Sequence, residues 1–447
     1  MSMDQERLFS LIDAAKRAGA DRADALLVAS RSISAMCRQG VPEGLEHSET
    51  LALGLRVFVG KRAANVSATA LDPSRFAALA EQAVAMARVV PEDAYAGIVD
   101  PDRQGIYDIA KLDMVDPTEA PGLDALLARA REAEETALGI KGITNSNGAS
   151  AGYGRVEITL AESSGFHGAY AQTSHSNGIS VLAGDGPSMQ RDYAGHSARH
   201  LTDLDGPALL GREAAERALA RMNPTKPRTG SFPVVFDTRV SASLLGHLAG
   251  AINGSAIARG TSFLSGHKGK LVLPEALSII DDPTRPRGLR SKPFDAEGVL
   301  PSPFAFIENG VLQDWILDGR SARQLGLANN GRASRGVGGP PSPAVGNFYL
   351  TGGTGSRSAL MEDIVEGIYV TEMMGSSING LTGDYSRGAS GFMIRHGQLA
   401  EPVAELTIAG NLIEMFAALR AADDLVFRHG VDAPTLRIDA MSVAGSQ

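Results

Sequence analysis

The sequence predicts an α+β protein of two domains. An N-terminal α/β domain with an antiparallel sheet and helices is expected over residues 1–225, and a β-rich domain closing on itself as a barrel-like sheet over 230–447. Three observations predict this. A chain of 447 residues exceeds the size at which one hydrophobic core keeps growing. The first half alternates amphipathic helical stretches with β-prone runs. After the proline-rich connector Asn223–Ser231 the texture changes to glycine, proline and short strands.

The first helix is expected over Asp4–Arg17, with Leu8, Leu11, Ile12 and Ala15 on one face and Gly19 as its stop. Ala25–Ala29 and Ser32–Met36 are two strand-like runs. Leu51–Val59 and Ala63–Leu71, joined by Gly60-Lys61-Arg62, read as a hairpin. Asp72 as N-cap and Pro73 at the first helical position open a helix that buries Phe76, Leu79, Ala83, Met86 and Ala87. Pro91–Pro121 is an irregular excursion. Leu123–Leu138 is a helix whose interleaved Arg and Glu residues read as a solvated face. Val156–Leu160, His167–Gln172 and Ile179–Leu182 suggest an antiparallel meander, and Ala208–Met222 is a third long helix. The element order hints at a loose duplication, without a residue-level repeat.

In the second half Phe232–Phe236 is a strand, and Val240–Asn253 is a helix or a pair of helical turns. Phe304–Ile307 and Val311–Leu317 flank Glu308-Asn309-Gly310, where Asn-Gly suits a type I′ turn. His396-Gly397, between Met393-Ile394 and Leu399, is a weaker hairpin signal. Asn411–Ala421 is the last helix, with Leu412, Met415, Phe416 and Leu419 on one face.

Composition narrows the function classes. Apolar content of 43% with 21% charged residues describes a globular chain. A net charge of −9 argues against a dedicated nucleic-acid or anionic-membrane binder. No apolar run reaches the length of a membrane span, and the acidic, amphipathic N-terminus does not read as a signal peptide, so the cytoplasm is expected. The single cysteine, Cys37, excludes an internal disulfide and a multi-cysteine zinc site, and reads as a small strand residue.

The densest glycine stretch runs from Gly367 to Leu399, with seven glycines between Gly367 and Gly397. Such spacing among β-prone runs suggests tight, packed turns. Asn379, Thr382, Asp384, Tyr385 and Ser386 lie there and are the candidate substrate-binding residues. They could line a groove, or cap turns and satisfy local backbone groups. Strict catalytic motifs are missing. Gly388-Ala389-Ser390-Gly391 has the wrong spacing for a nucleophile elbow. Gly269-Lys270 lacks the upstream glycine of a phosphate loop. His196 and His200 are four apart but have no neighbouring glutamate, and read as exposed loop histidines. Asp281-Asp282-Pro283 reads as a turn.

GTSFLSGHKG (Gly260–Gly269), DDPTRP (Asp281–Pro286), FDAEG (Phe294–Gly298), FIENGVLQDWILDGRSA (Phe306–Ala322), GIYVTEMMG, TGDYSRGASGFMI and ELTIAGNL (Glu405–Leu412) resemble the TldD/PmbA family, also called the modulator-of-gyrase family. The likeness covers most of Phe232–Leu419 in ordered, well-spaced motifs, and LALGLRVFVGKRAANVSATAL in the first half fits it. In that family the TldD branch carries H-E-x-x-x-H on a helix early in the second domain and binds a metal there. The PmbA branch, also called TldE, lacks the motif and pairs with TldD. Here the six residues are Ala242-Ser243-Leu244-Leu245-Gly246-His247. Ala242 stands at the first ligand and Ser243 at the general base. Alanine has no donor atom, and serine cannot serve as the carboxylate base. The chain therefore resembles the PmbA/TldE branch.

The resemblance implies a cytoplasmic metallopeptidase complex acting on unfolded or extended peptides. This chain would be the non-catalytic, chamber-forming subunit, with no metal of its own and zinc in a TldD-like partner. It would form a heterodimer, with a homodimer possible when alone, and no nucleic-acid or membrane contact. An autonomous hydrolase built on His247 and a nearby serine, and a regulatory protein acting on a topoisomerase, are the competing readings.

Overall fold

The computed structural model describes residues 3–445. Helix α1 (Met3–Arg17) buries Leu8, Leu11, Ile12, Ala14 and Ala15. Strands β1 (Arg22–Arg38), β2 (Val41–Val59) and β3 (Arg62–Ala68) follow. Next come helix α2 (Phe76–Val89), a one-turn α3 (Ile109–Leu112) and α4 (Leu123–Leu138). Asp72 caps the turn leading into α2 by accepting from the Ser74 N–H. Strands β4 (Ile143–Glu162), β5 (His167–Ala183) and β6 (Gln190–Ala198) and helix α5 (Pro207–Ala220) complete the first half.

The six strands form one antiparallel sheet in the order β3-β2-β1-β4-β5-β6. Two helix pairs cover it: α1 and α2 share one apolar cluster with β1–β3, and α4 and α5 share another with β4–β6. The strands are longer than their apolar runs. Ala25–Ala29 and Ser32–Met36 belong to one strand, because β2 and β4 pair with β1 through Ser30 and Arg31. His167–Gln172 and Ile179–Leu182 merge likewise into β5. Ladder pairing on both sides overrides the weak β-propensity of Ser, Gly and Asn.

The face of α4 is not wholly solvated. Glu134 is fully buried and accepts from the Gln39 and Gly40 N–H groups, both at 2.8 Å, and from the Cys37 thiol. It thereby ties the β1–β2 turn to the helix. Burial, then the Glu134 carboxylate, push the Cys37 thiol up to about 12, so it stays protonated and inert.

The second half opens with β7 (Gly230–Phe236), α6 (Thr238–Ala251) and α7 (Gly254–Ala258). A loop-rich stretch carries β8 (Ser278–Asp281), β9 (Phe304–Glu308), β10 (Val311–Leu312), α8 (Gly319–Leu325), β11 (Ala333–Ser334), β12 (Ser342–Pro343), β13 (Phe348–Thr351) and α9 (Arg357–Met361). Then come β14 (Glu366–Ile378), β15 (Asp384–Arg395), β16 (Gln398–Asn411), α10 (Leu412–Ala417), β17 (Arg420–Ala421), β18 (Val431–Asp432) and β19 (Leu436–Ala444). Strands β7, β14, β15, β16 and β19 close into a ring. The last seam is antiparallel pairing of Thr407–Ala409 with Ser442–Ala444. Closure removes open edges. A second sheet, β10-β9-β8-β13-β18, shares its core with the barrel.

Local chemistry explains the turns. At the β9–β10 hairpin Asn309 and Gly310 have φ of 48° and 78°, as a type I′ turn requires. A Cβ on Gly310 would lie 2.3 Å from the Leu273 carbonyl oxygen. His396 and Gly397 make the β15–β16 hairpin the same way, with φ of 49° and 78°. The last helix ends at Ala417, short of the expected Ala421, because the chain leaves it to pair Arg420-Ala421 with Arg437-Leu436. Asp281 ends β8 and is fully buried against Arg332 at 2.5 Å. Only Asp282 plays the expected turn role, accepting from Thr284.

The two halves are joined by buried charge. Asp24 on β1 is fully buried, with Arg56 of β2 at 2.6 Å and Arg335 of the second half at 2.5 Å. Leu26 and Leu160 pack on Phe294 alongside. Asp192 on β6 meets Arg239 of α6 at 2.6 Å. No described helix is long and apolar enough to cross a membrane.

Candidate functional site

Helix α6 carries the six residues that the sequence singled out. Asp237 caps it, accepting from the Arg239 N–H at 2.9 Å and from the Tyr369 hydroxyl at 2.6 Å. Val240, Ser241, Leu244, Leu245, Leu248 and Ala251 recur at helical spacing and are buried in the barrel core. Each leucine buried there contributes roughly 1.5–3 kcal/mol. This anchoring fixes the opposite face, where Ser243, Gly246, His247 and Gly250 fall; Gly246 and Gly250 are exposed.

Ala242 and Ser243 are half-buried. The Ser243 hydroxyl donates to the Val240 carbonyl at 2.7 Å, a bond within its own helix. His247 stands edge-on to the Tyr385 ring, with centroids 5.9 Å apart. Burial lowers the imidazole from its ordinary value, and the Arg387 guanidinium lowers it further, so the ring is neutral at neutral pH. Burial pushes the Tyr385 phenol up to about 12; its hydroxyl donates to the Met373 sulfur at 3.3 Å.

These residues do not fit a metal ion. Ala242 offers no donor, the Ser243 hydroxyl is engaged, and a cation sits beside the one imidazole. No cluster of three or more His, Cys, Asp or Glu side chains could ligate a metal among the described residues.

The five substrate-binding candidates separate into two groups. Asn379, Thr382 and Asp384 close the β14–β15 turn. Asn379 Oδ1 accepts from the Leu381 N–H at 3.0 Å, and the Thr382 hydroxyl donates to Asp384 at 2.6 Å. Asn411 Nδ2 reaches the Thr382 carbonyl at 2.9 Å. Tyr385, by contrast, is buried beside His247, and Ser386 is half-buried on β15 opposite Ser377 and Ala409. The structure thus brings His247 and Tyr385 together from distant parts of the chain.

Arg387 joins them and was not foreseen. The signal was available: two residues after Tyr385 on a strand, it shares that residue's face. His196 and His200 are not exposed loop histidines. His196 lies on β6, which extends to Ala198, and His200 is buried with Nε2 2.9 Å from the Asp113 carbonyl.

Residues 229–445, 116–222 and 23–87 match, in turn, the families described as the PmbA/TldA metallopeptidase C-terminal domain, central domain and domain 1. The chain is 34% identical over 426 residues to the metalloprotease PmbA of Escherichia coli O157:H7, covering 95% of this chain and 92% of that one. It is 33% identical over 438 residues to a PmbA homologue of Haemophilus influenzae, covering 97% and 94%. Among solved structures it is similar to a putative modulator of DNA gyrase from Bacteroides thetaiotaomicron, with a TM-score of 0.90 at 25% identity, covering 100% and 99% of the two chains. TldE from Thermococcus kodakarensis shares the fold, with a TM-score of 0.86 at 19% identity over 98% and 100% of the chains.

Proposed function

The chain belongs to the PmbA/TldD metallopeptidase family, and from that premise we propose that it is the non-catalytic, chamber-forming subunit of a cytoplasmic peptidase that processes unfolded or extended peptides. A TldD-like chain with an intact H-E-x-x-x-H supplies the zinc and the hydrolytic centre. The observation that carries this reading is the stretch Ala242–His247: an alanine, an engaged serine and one neutral histidine next to Arg387. A zinc-bound water would need several donors and a carboxylate base, and none is placed there.

The same residues weigh against an autonomous hydrolase, because the Ser243 hydroxyl bonds to Val240 rather than to His247. Two domains, 1–225 and 230–447, are proposed, the second building the chamber wall around the partner's metal. Leu381 and Ile413, 61% and 37% exposed, flank the Asn411-bonded turn at the barrel end and offer apolar surface for a homologous subunit. When the partner is missing, a homodimer of the same geometry is the expected form.

The test is peptide cleavage by this chain alone, by the TldD-like chain alone and by their mixture. Cleavage should require the mixture and disappear when the partner's motif is mutated, while Ser243→Ala in this chain leaves it unchanged. Cleavage by this chain alone, lost with Ser243→Ala, would overturn the proposal.

A further inference from the structure

Beside α6 the chain gathers two polar groups that it leaves unsatisfied and a third that it satisfies only weakly. His247 Nε2 is buried without a hydrogen-bond partner, and so is Nε of Arg387. The Tyr385 hydroxyl has only the Met373 sulfur, a weak acceptor. No carboxylate pairs with Arg387 among the described residues. A buried guanidinium N–H without a partner costs free energy, so Arg387 Nε marks a place that an acceptor would fill.

The surroundings are open on one side and closed on the other. Met374 pairs with Gly388 and Ser377 with Ser386, so β14 carries a bulge opposite Arg387. Bulges of this kind part the ladder beside functional side chains. Gly375 in the bulge has a φ of 64°, and a Cβ there would meet nothing within 4 Å. Behind Tyr385 lies the buried apolar core of the barrel, to which its ring belongs, so the place suits the end of a chain rather than its middle.

We propose that Arg387, His247 and Tyr385 bind the C-terminal carboxylate of an extended peptide. This rests on the reading of the chain as the subunit that holds substrate, and gives that role a chemical address. The guanidinium offers two parallel N–H donors to the carboxylate oxygens. The neutral imidazole in its Nε2–H tautomer and the phenol O–H supply further donors. A positive site stands where a metal motif would lie, so the subunit can seat the product end of a peptide whose scissile bond is presented to the partner.

The test uses the full chain without the partner, and fluorescence anisotropy of a short unstructured fluorescein-labelled peptide. Three forms are compared: a free C-terminal carboxylate, a C-terminal amide, and an amide carrying an internal aspartate. The free acid should bind about tenfold more tightly than either amide, the loss expected for one charge-assisted pair. Arg387→Met should erase that preference and Arg387→Lys restore part of it. Equal binding of acid and amide to the unmodified chain, a result that needs no variant, would overturn the site. Tight binding of the internal-aspartate amide would overturn the terminal carboxylate as its ligand. Because nothing is cleaved here, an inactive two-chain mixture would strike the peptidase reading and leave this result legible.

Discussion

Replacing Asp24 by Asn removes the anion that two buried arginines share. Asp24 Oδ2 accepts from Arg56 Nε at 2.7 Å and lies 2.6 Å from Nη2, while Oδ1 meets Arg335 Nη1 at 2.5 Å. The three side chains are 7% exposed or less. Breaking a buried pair from one side costs about 3–5 kcal/mol, because the remaining charges stay unpaired and dry. Glu162 modulates the cost. Burial, then the Asp24 charge, push it up to about 8 in the fold. A carboxyl raised in the fold stabilises most below its unfolded value and progressively loses that contribution as pH rises toward 8. Without Asp24, Glu162 ionises more readily beside Arg56, so the variant loses less than the parent over that range. The deficit of Asp24→Asn should therefore shrink between pH 6 and pH 8. Urea unfolding followed by the single tryptophan, Trp315, which is buried in the second half, and by circular dichroism for the whole chain reads both effects. A deficit below about 0.5 kcal/mol, the scale of a surface change, or one that grows with pH, would refute the reasoning.

Glu162→Gln should flatten the decline of stability between about pH 5 and pH 8, since the neutral amide mimics the protonated acid; an unchanged slope in urea titrations counts against it. Leu244→Ala, at a fully buried position of α6, should cost about 2–5 kcal/mol by thermal or urea unfolding. Tyr385→Phe should change stability by less than about 1 kcal/mol, because its hydroxyl meets only the Met373 sulfur. It should also weaken free-acid peptide binding, and a variant that loses stability without losing affinity would make Tyr385 structural. Limited proteolysis should cut first within or near residues 223–231 if that connector separates two domains; resistance there with cuts elsewhere argues for one continuous unit.

What the sequence made legible follows from what is local. The helix Leu123–Leu138 forms as its apolar spacing predicts, and Asn309-Gly310 makes its turn because those residues tolerate positive φ without help from elsewhere. The barrel-like closure of the second half was expected from its texture and is realised in the β16–β19 seam. Strand lengths were underestimated because ladder pairing comes from neighbours distant in sequence, as with Thr173–Gly178 in β5. Glu134 looked like part of a solvated face, since its backbone partners at Gln39 and Gly40 lie nearly a hundred residues away. The degenerate box at Ala242–His247 was readable as text. That Arg387 shares a strand face with Tyr385 was readable as well, but its place beside the box was not, because only the fold brings β15 against α6.

Metal content and cleavage measured on the same purified samples test the central claim most directly. The chain alone, after dialysis, should hold no stoichiometric zinc and cut no unfolded peptide. The mixture with its TldD-like partner should hold one zinc per partner chain and cut it. A full equivalent of zinc on this chain alone, lost on His247→Ala and accompanied by cleavage, would contradict the account.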